Sequence, residues 1–131
     1  HELYKRFNLK ELKNEIVKFF FLINILKVLI TGAGSGMGKL MAIKLAKLGT
    51  KVVLWDINKN GLEETHKEIT KAGGKSFYHV VDISKREEVY KWADKVKKEV
   101  GDVTILINNA GIVTGKKFTE STYKIYNFNI L

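Results

Sequence analysis

The stretch LITGAGSGMGKL, Leu29 to Leu40, packs four glycines (Gly32, Gly34, Gly36 and Gly38) into seven residues, directly after an apolar run and directly before an amphipathic one. Glycine is costly inside a helix or strand, so such a cluster marks a tight turn in which bare backbone has a purpose. A strand running into that turn and a helix starting from it leave unpaired N–H groups and about half a positive charge at the helix mouth, a setting that attracts phosphate. Any fold for this chain has to leave that turn open to a ligand.

The remainder alternates extended and helical patterns. Leu26 to Thr31 reads as a buried strand, and Met37, Leu40, Met41, Leu45 and Leu48 recur at helical steps to form one apolar face ending at Gly49. Lys51 to Asp56 is a second strand, followed by a mostly polar helix over about Leu62 to Ala72, with Asn60 and Glu63 spaced as a capping box and Gly73-Gly74 as its stop. Ser76 to Val81 is a third strand. Ser84 and Glu87 form another capping-box pair, opening a helix with a buried stripe of Val89, Trp92, Val96 and Val100 that Gly101 ends. Val103 to Asn108 is a fourth strand, and a last helical stretch begins near Thr119. Near-continuous apolar strands alternating with helices are the pattern of an α/β fold, a Rossmann-type doubly wound parallel sheet. Its strands end along one edge, where folds of this type bind ligands, and the glycine turn sits there.

Composition narrows the remaining classes. At 131 residues the chain makes one modest domain, with residues 1–25 as an amino-terminal extension and residues 26–131 as a partial ligand-binding domain. The absence of cysteine removes disulfides and thiolate metal sites and fits an intracellular, reducing compartment. His1, His66 and His79 are scattered singly, so no metal centre is expected: His66 reads as lying on a solvated helix face, His79 as a packing residue in a strand, and Trp55 and Trp92 as core. The net charge of +9 rests on lysines of solvated helix faces without a basic patch interleaved with aromatics, so no nucleic-acid partner is expected. The segment Ile16 to Ile30 is interrupted by Lys18, Asn24 and Lys27, and its longest apolar run, Phe19 to Ile23, is far short of the roughly 20 residues that span a bilayer. A signal peptide would have to be cleaved inside the glycine turn. What remains is a lysine-flanked apolar helix ahead of the first strand, which either covers the sheet or lies in a membrane interface.

Two common phosphate-binding patterns fail at the turn. Gly38-Lys39 matches the end of GxxxxGK[ST], but Ala33 stands where its first glycine belongs and Leu40 where its hydroxyl belongs; GxGxxG counted from Gly32 puts Met37 in the last place. The residues spell TGxxxGxG, with Thr31, Gly32, Gly36 and Gly38. In the same order follow LWD ending at Asp56, VDIS with Asp82, and NNAG from Asn108 to Gly111. With these four motifs the chain resembles the short-chain dehydrogenase/reductase family, in its amino-terminal cofactor-binding half. The resemblance implies a nicotinamide dinucleotide held by Gly32, Ser35, Gly36, Met37 and Gly38 at the turn, by Asp82 and Ile83 at the adenine, and by Asn109, Ala110 and Gly111 near the ribose and nicotinamide. Asp56 stands where a carboxylate accepts hydrogen bonds from the adenosine ribose, and its charge favours NAD over NADP unless Lys59 offsets it. Plainer roles stay open: Asp56 as a strand-end turn residue, Asp82 as a cap near Ser84, and Asn108 and Asn109 as partners for strand-end backbone.

The family's chemistry is hydride transfer between nicotinamide and an alcohol or carbonyl, with a tyrosine as proton acceptor and a lysine four residues on. Tyr4, Tyr78, Tyr90, Tyr123 and Tyr126 are followed at that distance by Asn8, Asp82, Asp94, Asn127 and Ile130, so the dyad is absent. The family places it beyond the position of Leu131, and the chain reads as a cofactor half without a catalytic half, inactive alone. Asn129, with Asn127 in reserve, resembles the family's asparagine that holds a proton-relay water. VLITGAGSGMGKLMA, VLWDIN and INNAGIVTGKKF are most similar to the membrane-associated retinol and 17-beta-hydroxysteroid group. That implies a lipid alcohol substrate, a homo-oligomer when complete, and a cytoplasmic or endoplasmic-reticulum or lipid-droplet location. The alternative is a dinucleotide-binding module without turnover. Uncovered apolar surface beside the fourth strand is expected to make the isolated chain aggregate.

Overall fold

The computed structural model describes residues 9–112. Helix α1 (Leu9–Ile25) precedes β1 (Lys27–Thr31), α2 (Gly36–Lys47), β2 (Lys51–Asp56), α3 (Lys59–Lys71), β3 (Lys75–Val80), α4 (Arg86–Glu99) and β4 (Ile105–Ile107). The four strands form one parallel sheet in the order β3-β2-β1-β4. Because strand side chains alternate between faces, the central strands β1 and β2 each feed two cores. Val28, Ile30, Val52 and Leu54 meet Ala42, Ile43 and Ala46 of α2 and Leu62 and Ile69 of α3. Leu29, Val53 and Trp55 meet Val81, Val96 and Val100 on the α4 side. Burial on both faces is the physical reason that these strands are apolar throughout rather than alternating.

Several local expectations need correction. The buried face of α2 is Gly38, Ala42, Ile43 and Ala46, with Met41 and Leu45 partly packed, whereas Met37, Leu40 and Leu48 are exposed. Small residues four apart let the helix lie close to the sheet and turn the bulkier side chains to its flanks. The cap of α3 is Asn58, whose side chain accepts from Gly61 N at 3.1 Å, rather than Asn60; Glu63 instead faces Lys59 at 3.8 Å. The Ser84 and Glu87 box does not form either. Glu88 reaches back to Asp82 N at 3.1 Å, while the Asp82 carboxylate accepts from Ser84 N and Ser84 Oγ at 3.0 and 2.6 Å. Strand β4 is shorter than expected; just ahead of it Lys27 N donates to the Thr104 hydroxyl at 2.9 Å instead of to a backbone carbonyl, while Thr104 N and Oγ1 donate to Lys27 O at 2.9 and 3.1 Å. The helix expected near Thr119 lies outside the described residues.

Helix α1 does not cover the sheet, contrary to one of its two expected roles. None of its residues is buried, since β1, which it joins, is already covered on both faces. His66 is not simply solvated: its Nδ1 lies 2.7 Å from Ser76 Oγ and its ring rests on Tyr78.

His79 packs as expected, 8% exposed, with its ring 4.6 Å from that of Trp92. Its Nε2 is 3.4 Å from Glu99 Oε2 without a hydrogen-bond partner, and burial holds its pKa below the ordinary 6.5, Glu99 opposing and Lys95 assisting. The unfolded chain therefore binds this proton more readily, so stability should fall as pH drops below about 6.5, by at most about 1.4 kcal/mol per pH unit. Thermal melts of wild type and His79→Phe between pH 5 and pH 8 check this. The variant should lose less stability on acidification, and parallel curves would refute it.

Candidate cofactor site

A cavity of about 430 Å³ opens where the strand ends converge. The turn after β1 supplies Gly32, Ser35, Gly36 and Met37; the end of β2 supplies Trp55, Asp56 and Ile57. The segment after β3 adds Val81, Asp82 and Ile83, and that after β4 adds Asn109, Ala110, Gly111 and Ile112. Ten of the eleven residues singled out in the sequence for cofactor contact thus line one cavity, and Gly38 does not. Trp55, Ile57, Val81 and Ile112 were passed over. The only signal for them was position, since each neighbours a motif residue at the same sheet edge.

The glycines divide the work. Gly36 has φ +51°, and among the described residues no atom lies within 4 Å of where a Cβ would stand. Gly38 is buried in α2, where an added Cβ would run into the Gly32 carbonyl and come within 2.7 Å of Asn109 Nδ2. Gly38 therefore lets the helix mouth close against the turn, and Gly36 leaves room for a ligand; a phosphate fits such a cradle.

Asp56 is tied into the same turn. One carboxylate oxygen accepts from Gly34 N at 2.8 Å and the other from Asn58 N at 3.0 Å. An ionised carboxylate has about four acceptor positions, so two remain for hydroxyl donors in the cavity. The turn is backed by α3, where buried Thr65 donates either to Ala33 O at 3.0 Å or to Gly61 O at 2.9 Å. Lys39 points away from the cavity edge to Glu64 and Glu68 at 3.0 and 3.3 Å, and these bonds, the Glu64 one foremost, raise its pKa. The lysine of a GxxxxGK[ST] loop would serve phosphate; this one fastens α2 to α3. Asp82 is held below the usual carboxylate range by the Ser84 hydroxyl and amide, so it stays charged near neutrality.

The far wall hangs on Thr31 and Asn109. Thr31 Oγ1 accepts from Asn109 N and Ala110 N, both at 3.0 Å, and donates to Ile107 O at 3.4 Å. Asn109 Nδ2 donates to Thr31 O at 3.0 Å and Gly32 O at 3.3 Å. The backbone-satisfying role therefore falls to the second asparagine of the motif, while Asn108 is exposed beside a second cavity of about 510 Å³. Asn127 and Asn129 lie outside the described residues. Among the described residues no group of three or more His, Asp or Glu could hold a metal.

The short chain dehydrogenase family profile matches residues 26–129. Human epidermal retinol dehydrogenase 2 is 62% identical over 94 residues, covering 71% of this chain and 30% of that protein. Mouse estradiol 17-beta-dehydrogenase 11 is 63% identical over 86 residues, covering 66% and 29%. The chain thus spans about 30% of the length of these relatives. Among solved structures, a hydroxysteroid dehydrogenase from Escherichia coli superposes with a TM-score of 0.65 at 38% identity, over 69% of this chain and 40% of that one. NAD+-bound xylitol dehydrogenase superposes with a TM-score of 0.74 at 27% identity, over 82% and 44%. A strand-edge cavity built from the four motifs and a profile match over most of the chain lead to one conclusion: this chain belongs to the short-chain dehydrogenase family.

Proposed function

We propose that this chain is the cofactor-binding half of an NAD-dependent oxidoreductase that interconverts a lipid alcohol, retinol-like or steroid-like, and its carbonyl. The observation that carries the reading is the gathering of the turn, Asp56, Asp82 and Asn109 to Gly111 around one cavity with uncovered backbone at Gly36. Gly32, Ser35, Gly36 and Met37 would hold the pyrophosphate, with Gly38 shaping the turn behind them. The free acceptor positions of Asp56 would take the ribose hydroxyls, Asp82 and Ile83 the adenine, and Asn109 to Gly111 the nicotinamide side. When bound, the cofactor supplies hydride transfer. The chain's own part is to hold it and exclude water. NAD is preferred because the fixed charge of Asp56 repels a 2′-phosphate, and Lys59 is directed to Glu63 instead. The substrate class follows the relatives named retinol and estradiol dehydrogenase. Asn129 is retained as the candidate holder of a relay water, homo-oligomer formation is proposed for the complete protein, and no nucleic acid is involved.

A module that binds the dinucleotide without turnover is the second reading, and it differs by lacking the tyrosine and lysine pair over the whole of the complete protein. Both readings predict that NADH moves the amide resonances of Gly32 to Gly38, with NADPH binding about tenfold more weakly. Unmoved resonances in the folded protein would overturn both. Oxidation of a lipid alcohol by the complete protein separates them.

The membrane-interface role of α1 belongs to the same proposal. Among the described residues no helix is long and apolar enough to cross a membrane. Yet Ile16, Phe19, Phe20, Phe21 and Leu22 are all exposed, with Lys13 ahead of them and Lys18 among them. A helix of that make-up is suited to lie along a bilayer surface with apolar side chains inserted, which supports an endoplasmic-reticulum or lipid-droplet surface as the proposed location of the parent protein. Replacing Phe19, Phe20 and Phe21 together by serine should weaken co-sedimentation with phosphatidylcholine vesicles about a hundredfold. Equal sedimentation of both forms would remove this role.

A further inference from the structure

The starts of the strands form the sheet edge opposite the cofactor cavity, and lysine opens three of the four: Lys27 in β1, Lys51 in β2 and Lys75 in β3. Register sets them abreast, Lys27 beside Lys51 and Lys51 beside Lys75, on strands about 4.8 Å apart. Side chains in register share a face, here that of α4, because Leu29, Val53 and Phe77 two residues on all pack there. Like charges in such a row repel one another. Among the described residues no carboxylate lies within 4.0 Å of the three ammonium groups to offset this.

The helices end at the same edge, since each runs back against the direction of the strands. Lys44 and Lys47 fall in the last turn of α2, Lys71 in that of α3, and Lys97 and Lys98 in that of α4. Attraction to the carboxyl ends of helices accounts for these lysines, but it does not account for the strand row. The nearby carboxylates Glu99 and Asp102 are each met by a lysine of α4, Lys95 at 3.7 Å and Lys97 at 3.5 Å, so the edge stays strongly positive. Helix α1 reaches this edge as well: Asn24 Oδ1 stands 3.2 Å from where a Cβ on Gly49 would lie, in the turn between Lys47 and Lys51. An exposed apolar helix and a lysine-rich edge therefore adjoin.

We propose that this edge docks on anionic phospholipid, so that α1 and the lysines meet one bilayer surface together, an inference that rests on the interfacial reading of α1 above and adds a lipid preference to it. Clustered lysines beside an interfacial helix are attracted by anionic headgroups as point charges. Nucleic acid is the poorer match, because arginine is the cation that reads phosphate in paired fashion and, among the described residues, Arg86 is the only one and begins α4 at the other edge.

Co-sedimentation of the complete protein tests this. Vesicles with about 30 mol% phosphatidylserine should bind it at least about a hundredfold more tightly than phosphatidylcholine alone, and about 0.5 M salt should remove the difference. Lys27→Gln, Lys51→Gln and Lys75→Gln together should weaken binding to the anionic vesicles about a hundredfold, roughly fivefold per lysine, with phosphatidylcholine binding unchanged. The same variant should melt slightly above wild type, since the row repels itself; a lower melting temperature would mean that the row serves the fold and would overturn the proposal. Lys59→Gln, Lys85→Gln and Lys91→Gln together remove equal charge elsewhere and should weaken anionic binding by no more than about twofold. If the two vesicle types bind alike, or both triple variants lose equally, the edge has no docking role, and α1 is still judged by the Phe19, Phe20 and Phe21 variant on phosphatidylcholine. If that variant sediments as wild type does, the interfacial reading falls and this one with it. Tighter binding to a single-stranded RNA than to the anionic vesicles would assign the edge to nucleic acid and also overturn the proposal. Should the lysine variant fail to fold, the wild-type comparison of the two vesicle types at low and high salt decides alone.

Discussion

Gly38→Ala is expected to abolish measurable NADH binding and to lower the melting temperature by about 10–20 °C, the largest effect expected of a one-carbon change among the described residues. The added Cβ would meet the Gly32 carbonyl, which is backbone and cannot swing aside, and would press on Asn109 Nδ2, which is itself engaged with Thr31 O and Gly32 O. Overpacking of side chain against side chain costs about 1–3 kcal/mol, and backbone against a fixed helix belongs at the top of that range. Relief is available only if α2 moves off the turn, and then the open backbone around Gly36 no longer lies at the helix mouth. Gly36→Ala separates the two contributions. No atom lies near its added Cβ, so only the positive φ is penalised, by roughly 1–2 kcal/mol, while the methyl group intrudes on the cradle. Calorimetric NADH titration and thermal melts of both variants check the contrast. A Gly38→Ala protein that melts with wild type would remove the close-approach argument.

The same two glycines show what a sequence can and cannot tell. Spacing alone found the turn, because a glycine cluster between apolar and amphipathic stretches has few other uses, and the near-continuous apolar strands pointed to a sheet covered on both faces. The motif residues then fell around one cavity because parallel strands bring all their ends to one edge. Spacing could not say that Gly36 faces open space and Gly38 faces backbone, since that depends on how far α2 sinks onto the sheet. The depth was set by Ala42 and Ala46, whose small size was overlooked in favour of Leu40 and Leu48. Caps failed for a related reason. Asn58 and Glu88 win over Asn60 and Glu87 because the exits of β2 and β3 fix where each helix can start, and no local pattern records that. Trp55 was read as core, and its burial bears that out, whereas Trp92 is only partly buried.

Thr31→Val should cost about 3 kcal/mol and loosen NADH binding at least tenfold, although valine matches threonine in shape and β1 is otherwise apolar. The hydroxyl is the meeting point of β1 and the strand-end segment after β4: the amides of Asn109 and Ala110 both point to it, and it turns its own proton toward Ile107 O. Valine leaves two partly buried N–H groups without an acceptor, and a donor left that way costs about 1–3 kcal/mol, more than a made bond gains. The strained segment carries Asn109, Ala110 and Gly111, one wall of the cavity, so its displacement is felt by the ligand as well as by the fold. Thr31→Ser keeps the oxygen and should bind NADH nearly as wild type, with a small stability loss from the missing methyl. Asn109→Ala breaks the reciprocal bonds from the other side, to Thr31 O and Gly32 O. Because both variants open one network, the double variant Thr31→Val with Asn109→Ala should lose clearly less stability than the two single losses added together. Urea melts of the four proteins measure that coupling; strict additivity would mean that the two side chains act independently, and the wall would then have to be held by something other than their mutual bonds.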